Sequence, residues 1–327
     1  MKTKTNLLPH QEQAYNKLSK LKVGALYMEM GTGKTRTAIE LINKRLVQGK
    51  VTQVLWFCPC TVKKNLEKDI EKHSPDLLPL TKIVGLESIS MSDKVYLETL
   101  KYLQKGKTFL IVDESNLVKN PMAMRTKRVY AISKLCDYKL ILNGTPITRN
   151  EADLYSQWLI LDPRIFGYRS YYSFAQNHLE LDERGRIRRV LNVDYLTDKI
   201  APYSFQISKD ECLNLPRKIH SNRWFDITNE QNKHYSYVLE EITFLYSEWD
   251  DLALFNLFTA LQLVTSGRRL KIYKDGTFTH APFFESYKDN PRIETLDILL
   301  EQIWDKQIII WACLLYTSPS PRDATLS

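Results

Sequence analysis

The chain has 327 residues, 43% hydrophobic and 26% charged, which is enough apolar material for more than one buried core and excludes a compositionally disordered chain. Lys and Arg outnumber Asp and Glu by 46 to 38, a net charge of +8 that permits a polyanionic partner without identifying one. Met1 to Asn6 is polar and basic, and no run reaches the roughly 18 apolar residues of a membrane span, so a cytoplasmic protein without membrane attachment is expected. Cysteines stand at 58, 60, 136, 212 and 313, and Cys58-Pro59-Cys60 has neither the spacing nor the second pair of a zinc site, so reduced, buried thiols are expected.

In chain order, apolar runs at Val23 to Met28, Val54 to Phe57, Lys82 to Leu86, Phe109 to Val112 and Lys139 to Asn143 read as strands bounded by turn residues. Helical patterns lie between them; Ala38, Leu41, Ile42 and Leu46 have the spacing of one buried helix face. This alternation predicts an α/β fold over residues 1–161, a parallel sheet flanked by helices. Residues 162–204 read as a helical insertion or linker. Tyr168, Tyr171, Tyr172 and Phe174 are expected there to pack between helices rather than stack on bases, and Asp182 to Arg189 to form a solvated hairpin. A second α/β unit is expected over 205–312: an apolar run at Trp224 to Ile227, helices within Asn229 to Ser247 and Leu252 to Thr265, a helix capped by Asn290-Pro291, and a strand at Gln307 to Ala312. Arg268-Arg269 suits either a phosphate-holding loop or a plain basic turn. Residues 313–327 stand apart, because CLLYTSPSPRD at Cys313 to Asp323 resembles a translated sequencing-library adapter; the tail is expected to be foreign and the native frame to run on past Ala312.

The chain has only 11 glycines, yet two fall within Met30-Gly31-Thr32-Gly33-Lys34-Thr35, after an apolar strand and at the start of a helix. Glycines let backbone N–H groups approach phosphates, the helix N-terminus adds positive potential, and a lysine and a hydroxyl reach the outer phosphate and its Mg2+. Gly31, Thr32, Gly33, Lys34, Thr35 and the adjoining Arg36 are therefore candidate ATP-binding residues. Met28 stands where a strict P-loop has its first glycine. Further on, Phe109 to Glu114 is an apolar strand ending in two carboxylates. Asp113 is expected to hold Mg2+ with Thr35, and Glu114 to orient or deprotonate the attacking water, giving Lys34, Asp113 and Glu114 as the catalytic set.

With these residues in place, the sequence from Leu7 to Ala312 resembles the Swi/Snf family of superfamily-two helicase-like ATPases. The resemblance rests on Leu8-Pro9-His10-Gln11, on Phe57 to Thr61 followed by Asn65, and on Asp113 to Asn116 followed by Lys119-Asn120-Pro121. It extends to Asn143 to Ile147 followed by Asn150 and Glu151, and to Leu213 to Lys218. It implies two RecA-like lobes, the second incomplete, and DNA-stimulated ATP hydrolysis that drives translocation on duplex DNA held by its phosphate backbone. It further implies Gln11 as the adenine contact, Pro59 and Thr61 on the tracked strand, and Gly144, Thr145 and Pro146 as the coupling element. A compact bacterial or phage member acting as a monomer is expected. Ser115-Asn116 departs from the family's usual Ala-His, no Thr-Tyr or Asn-Tyr element is visible between Leu86 and Thr108, and the arginine finger would fall beyond Ala312. Two other readings stay open: a strand-separating helicase, and a nucleotide-dependent binding module without activity of its own.

Overall fold

Five of the expected strands form, and a sixth joins them. The computed structural model describes residues 3–147, 149–168, 170–214, 216–246 and 250–311, and the chain divides into two units, Met1–Pro216 and Arg217–Ser327. The strands of the first unit's sheet are β1 (Val23–Met28), β2 (Gln53–Cys58), β3 (Thr81–Gly85), β4 (Thr108–Asp113), β5 (Tyr138–Asn143) and, after a small antiparallel hairpin of β6 (Leu179–Leu181) and β7 (Ile187–Val190), β8 (Ser204–Ile207). Their order is β3-β2-β4-β5-β1-β8, and every pairing is parallel. Helices α1 (Pro9–Leu18), α2 (Lys34–Val47), α3 (Lys63–His73), α4 (Leu86–Met91), α5 (Asp93–Leu103), α6 (Met124–Ser133), α7 (Leu154–Leu161), α8 (Pro163–Phe166), α9 (Tyr171–His178), α10 (Val193–Ile200) and α11 (Lys209–Cys212) complete the unit.

Strand side chains alternate between faces, and a strand buried on both faces reads as a continuous apolar run. Ala25, Tyr27, Leu55, Phe57, Leu110, Val112 and Ile141 pack in one core with Trp158, Phe166 and Phe174. Their neighbours Leu26, Met28, Val54, Trp56, Ile111 and Leu142 pack in another with Ala38, Ile42, Leu66 and Ile70. The aromatics of 162–204 behave as packing residues: Phe174 is fully buried among Tyr155, Phe166, Tyr168, Tyr171 and His178. That segment thus supplies core to the first unit. Residues 205–207, expected to open the second lobe, pair with β1 as the edge strand of the first sheet.

The second unit holds α12 (Asn229–Leu245), α13 (Asp251–Thr265), an antiparallel hairpin of β9 (Arg268–Ile272) and β10 (Phe278–Pro282), and α14 (Pro291–Gln302). Its core is Val238, Ile242, Ala260, Leu263, Val264 and Leu270. The predicted cap of α14 forms, with the Asn290 side chain accepting from Arg292 N at 3.1 Å. Arg268-Arg269 lies in a strand, with Arg269 over the Phe283 ring at 4.6 Å. Two expected segments are not strands: 224–227 and 307–311 make no ladder. Their backbone groups find no strand neighbour among the described residues, and an apolar run without one stays exposed to water. No parallel sheet occurs among the described residues of this unit, and the proposed adapter tail, 313–327, lies outside the described residues. No described helix is long and apolar enough to cross a membrane.

Candidate nucleotide site

Because all six strands of the large sheet run the same way, the loops leaving their C-terminal ends collect along one edge, where open α/β sheets bind ligands. The loop after β1 carries Gly31 and Gly33 at φ of +86° and +90°, a backbone region open to glycine and strained for other residues. Gly33 also caps α2 from the left-handed region, and a Cβ there would collide with Gln11 Nε2. Thr32 is buried, its hydroxyl donating to Glu29 O at 2.7 Å. The Thr32 carbonyl accepts from Gln11 Nε2 at 3.0 Å and from His10 Nε2 at 2.8 Å, so the His10 ring carries its proton on Nε2. Gln11 Oε1 accepts from Leu8 N at 3.0 Å, closing the first turn of α1. Gln11 and His10 therefore brace the loop from behind, a task that sequence reasoning had not given to either.

Lys34 opens α2 and donates Nζ to Met28 O at 2.9 Å. Burial lowers its pKa, against the pull of Glu114 and Asp113. Thr35 is the second residue of α2 and half-buried. Arg36 does not join them: its guanidinium donates to Thr5 Oγ1 at 2.8 Å and to Glu40 Oε2 at 2.8 Å, tying down the N-terminal segment.

At the end of β4, burial and then the charge of Glu114 push the Asp113 carboxyl up to about 6, with Lys34 opposing. Asp113 Oδ1 accepts from Glu114 N at 3.0 Å. Glu114 sits at φ +49°, a left-handed conformation rare outside glycine and of the kind that clusters at active sites. After β5, a Cβ on Gly144 would lie 3.7 Å from Lys34 Nζ and 3.5 Å from Met30 N, so this loop borders the phosphate loop directly. Asn143 Oδ1 accepts from Thr145 N at 2.9 Å, and Pro146 O accepts from Gln157 Nε2 at 2.9 Å. Gln157 Oε1 in turn accepts from the Ser115 hydroxyl at 2.5 Å, and Asn143 Nδ2 donates to that hydroxyl at 3.4 Å. Ser115, next to the acidic pair, and the Gly144-Thr145-Pro146 loop are thus joined by a chain of hydrogen bonds through Gln157 and Asn143. Pro59 and exposed Thr61 lie just after β2, on the same edge, where Cys60 N donates to Glu87 Oε2 at 2.9 Å.

Residues 10–270 match the family described as SNF2-related domain. The chain is 25% identical over 277 residues to the TATA-binding protein-associated factor mot1 of Aspergillus fumigatus, covering 70% of this chain and 14% of that protein. It is 26% identical over 267 residues to the TATA-binding protein-associated factor BTAF1 of Arabidopsis thaliana, covering 71% of this chain and 13% of that one. It therefore spans a small part of the length of these curated relatives. In fold it is similar to the Sulfolobus solfataricus SWI2/SNF2 ATPase core in complex with dsDNA, with a TM-score of 0.53 at 22% identity over 93% of this chain and 66% of the other. With a match running through most of its length, the chain belongs to the family of SNF2-related domains.

Proposed function

We propose that this chain is the ATP-binding part of a DNA-stimulated ATPase that moves along duplex DNA. The observation that carries this reading is the meeting of Lys34, Asp113, Glu114 and Gly144 at one sheet edge, behind a loop whose two glycines present the backbone to a ligand. In it, the loop N–H groups and the Lys34 ammonium hold the outer phosphates of substrate ATP. Glu114 orients and deprotonates the attacking water, its backbone fixed by the Asp113 carboxylate. Gln11 and His10 keep the loop in register.

Mg2+ prefers hard oxygen donors and keeps several of its waters, and the Thr35 hydroxyl with the Asp113 carboxylate suit it. A carboxyl raised by burial and a like charge is one that a cation returns to its ionised form. When bound, Mg2+ neutralises phosphate charge during transfer.

Family membership, and a fold shared with a Sulfolobus solfataricus ATPase core in complex with dsDNA, support duplex DNA as the partner. In this reading Pro59 and Thr61, on the loop after β2, contact the phosphate backbone, and the Gly144-Thr145-Pro146 loop, tied to Ser115 through Gln157 and Asn143, passes ATP state onward. Phosphate contacts of this kind carry little sequence information, as tracking requires. The test is steady-state phosphate release with and without duplex DNA, using the protein expressed from its source reading frame, with Lys34→Ala as control. Duplex-stimulated release abolished by the control supports the motor. ATP binding without hydrolysis in the wild type overturns it in favour of a nucleotide-dependent binding module.

A further inference from the structure

A second lysine reaches the phosphate loop from a distant part of the sequence. Strand β8 lies against β1, Ile207 opposite Met28, and Glu29 N donates to Ile207 O at 3.1 Å, so the chain leaving β8 emerges beside the loop. There Lys209 begins the short helix α11, its backbone N–H donating to Glu29 Oε2 at 2.8 Å. Its side chain runs over Gly31: a Cβ at that glycine would meet Lys209 Cε at 3.4 Å and Nζ at 3.9 Å. Lys209 also adds to the positive field that Lys34 feels. Two ammonium groups thus converge on one short loop. Among the described residues the acidic partner of Lys209 is Glu29, whose Oε1 is 4.0 Å from Nζ, with the two side chains 41% and 30% exposed for Glu29 and Lys209. An ion pair that long and that wet holds its partners weakly.

We propose that Lys209 is a second phosphate-directed lysine of this site, exchanging its loose contact with Glu29 for the outer phosphate of bound ATP. The inference rests on the nucleotide-site reading above. It follows from placement: Lys209 lies over Gly31, within electrostatic reach of Lys34, the lysine that in the reading above reaches the outer phosphates, and a triphosphate offers both ammonium groups a multiply charged partner. The backbone contact to Glu29 needs no change when the side chain moves, so the exchange leaves α11 seated. It makes the site read triphosphate against diphosphate a few residues before the first unit ends at Pro216.

The experiment is equilibrium binding of fluorescently labelled ATP and ADP, with Mg2+, to the full chain and to Lys209→Gln, Lys209→Arg and Lys34→Ala, each also followed by thermal melting. A charge-assisted hydrogen bond lost from a partly exposed site weakens ATP binding about tenfold. Lys209→Gln is expected to show that loss for ATP, less than about a twofold loss for ADP, and an unchanged melting temperature; Lys209→Arg is expected to recover most of the ATP affinity. Equal losses for ATP and ADP, or no loss for either, overturn the proposal while leaving the nucleotide site standing, provided that Lys34→Ala still loses binding. Failure of the unaltered chain to bind ATP removes both.

Discussion

In the first unit, Leu26, Trp56, Ile111 and Leu142 meet on one face of the sheet while Tyr27, Phe57, Val112 and Ile141 meet on the other. In the second, a much smaller core gathers around Val238, Ile242 and Leu270, and Phe244, Phe255 and Phe258 are 89%, 66% and 64% exposed. A sheet buried on both faces fixes where each strand ends, and so where each loop is aimed. Strained backbone persists only where its surroundings over-determine it; Glu114 at φ +49° stands directly after β4, inside that frame. Chemistry that needs side chains held to fractions of an ångström belongs on such a scaffold.

The largest expected effects test whether the chemistry is confined to the first unit. Glu114→Gln should lower ATP turnover by about 10² to 10⁴ with ATP binding intact, the usual worth of a positioned general base. Glu230→Gln, on the exposed start of α12, should leave turnover unchanged. Phosphate-release kinetics beside equilibrium binding separate the two, and an equal loss from Glu230→Gln breaks the comparison. Next in size is packing. Trp158 is fully buried, and Trp158→Ala should cost about 3 to 5 kcal/mol of stability. Phe255→Ser, at an exposed ring, should stay within about 0.5 kcal/mol. Urea unfolding followed by circular dichroism measures both.

A smaller effect concerns Asp113, whose carboxyl is pushed up to about 6 by burial and by Glu114. The folded protein then binds a proton that the unfolded chain has already released. Stability from this group is thus greatest below about pH 4 and falls as pH rises to about 6. Asp113→Asn should therefore be more stable than the natural chain at pH 7, by roughly 1 to 3 kcal/mol. The advantage should shrink as the pH is lowered towards 4; melting curves across that range check it, and an advantage that grows on acidification contradicts the assignment.

How much of this was legible depended on distance along the chain. Val23–Met28 and Thr108–Asp113 announce themselves because burial on both faces demands an unbroken apolar run, and Gly31 to Thr35 because phosphate chemistry concentrates several residue types into one loop. The α/β class followed from the alternation. Residues 205–207 were assigned to the second unit because their run looks like any other; only β1, some 180 positions earlier, says which sheet they join. Lys209 and Gln157 left no local signal for the same reason: one is defined by Glu29 and Gly31, the other by Ser115 and Pro146. Arg36 shows the opposite failure, where adjacency to the motif suggested a phosphate role and the helix turned its guanidinium towards Thr5 and Glu40. The runs at 224–227 and 307–311 have no neighbouring strand among the described residues, and no local pattern can supply one.

The Ser115–Gln157 pair sharpens the comparison at its finest grain, because it sets buried hydrogen bonding against buried apolar packing in one place. Ser115 and Gln157 are fully buried, and the hydroxyl donates to Gln157 Oε1 at 2.5 Å. Ser115→Ala leaves that oxygen without its donor and should cost about 1 to 3 kcal/mol, the penalty of an unmade buried bond. Ser115→Ala combined with Gln157→Leu removes both partners. It should cost less than the single change if the pair serves only its own satisfaction. Gln157 also donates to Pro146 O and Asp153 O, both at 2.9 Å, so the double variant frees the Gly144-Thr145-Pro146 loop from its anchor. The expected signature is a stability cost no smaller than that of the single change, because the Pro146 oxygen loses its donor, together with weakened DNA stimulation of ATPase, measured as the ratio of rates with and without duplex. Natural stability with natural stimulation would mean that this loop is held by Asn143 alone.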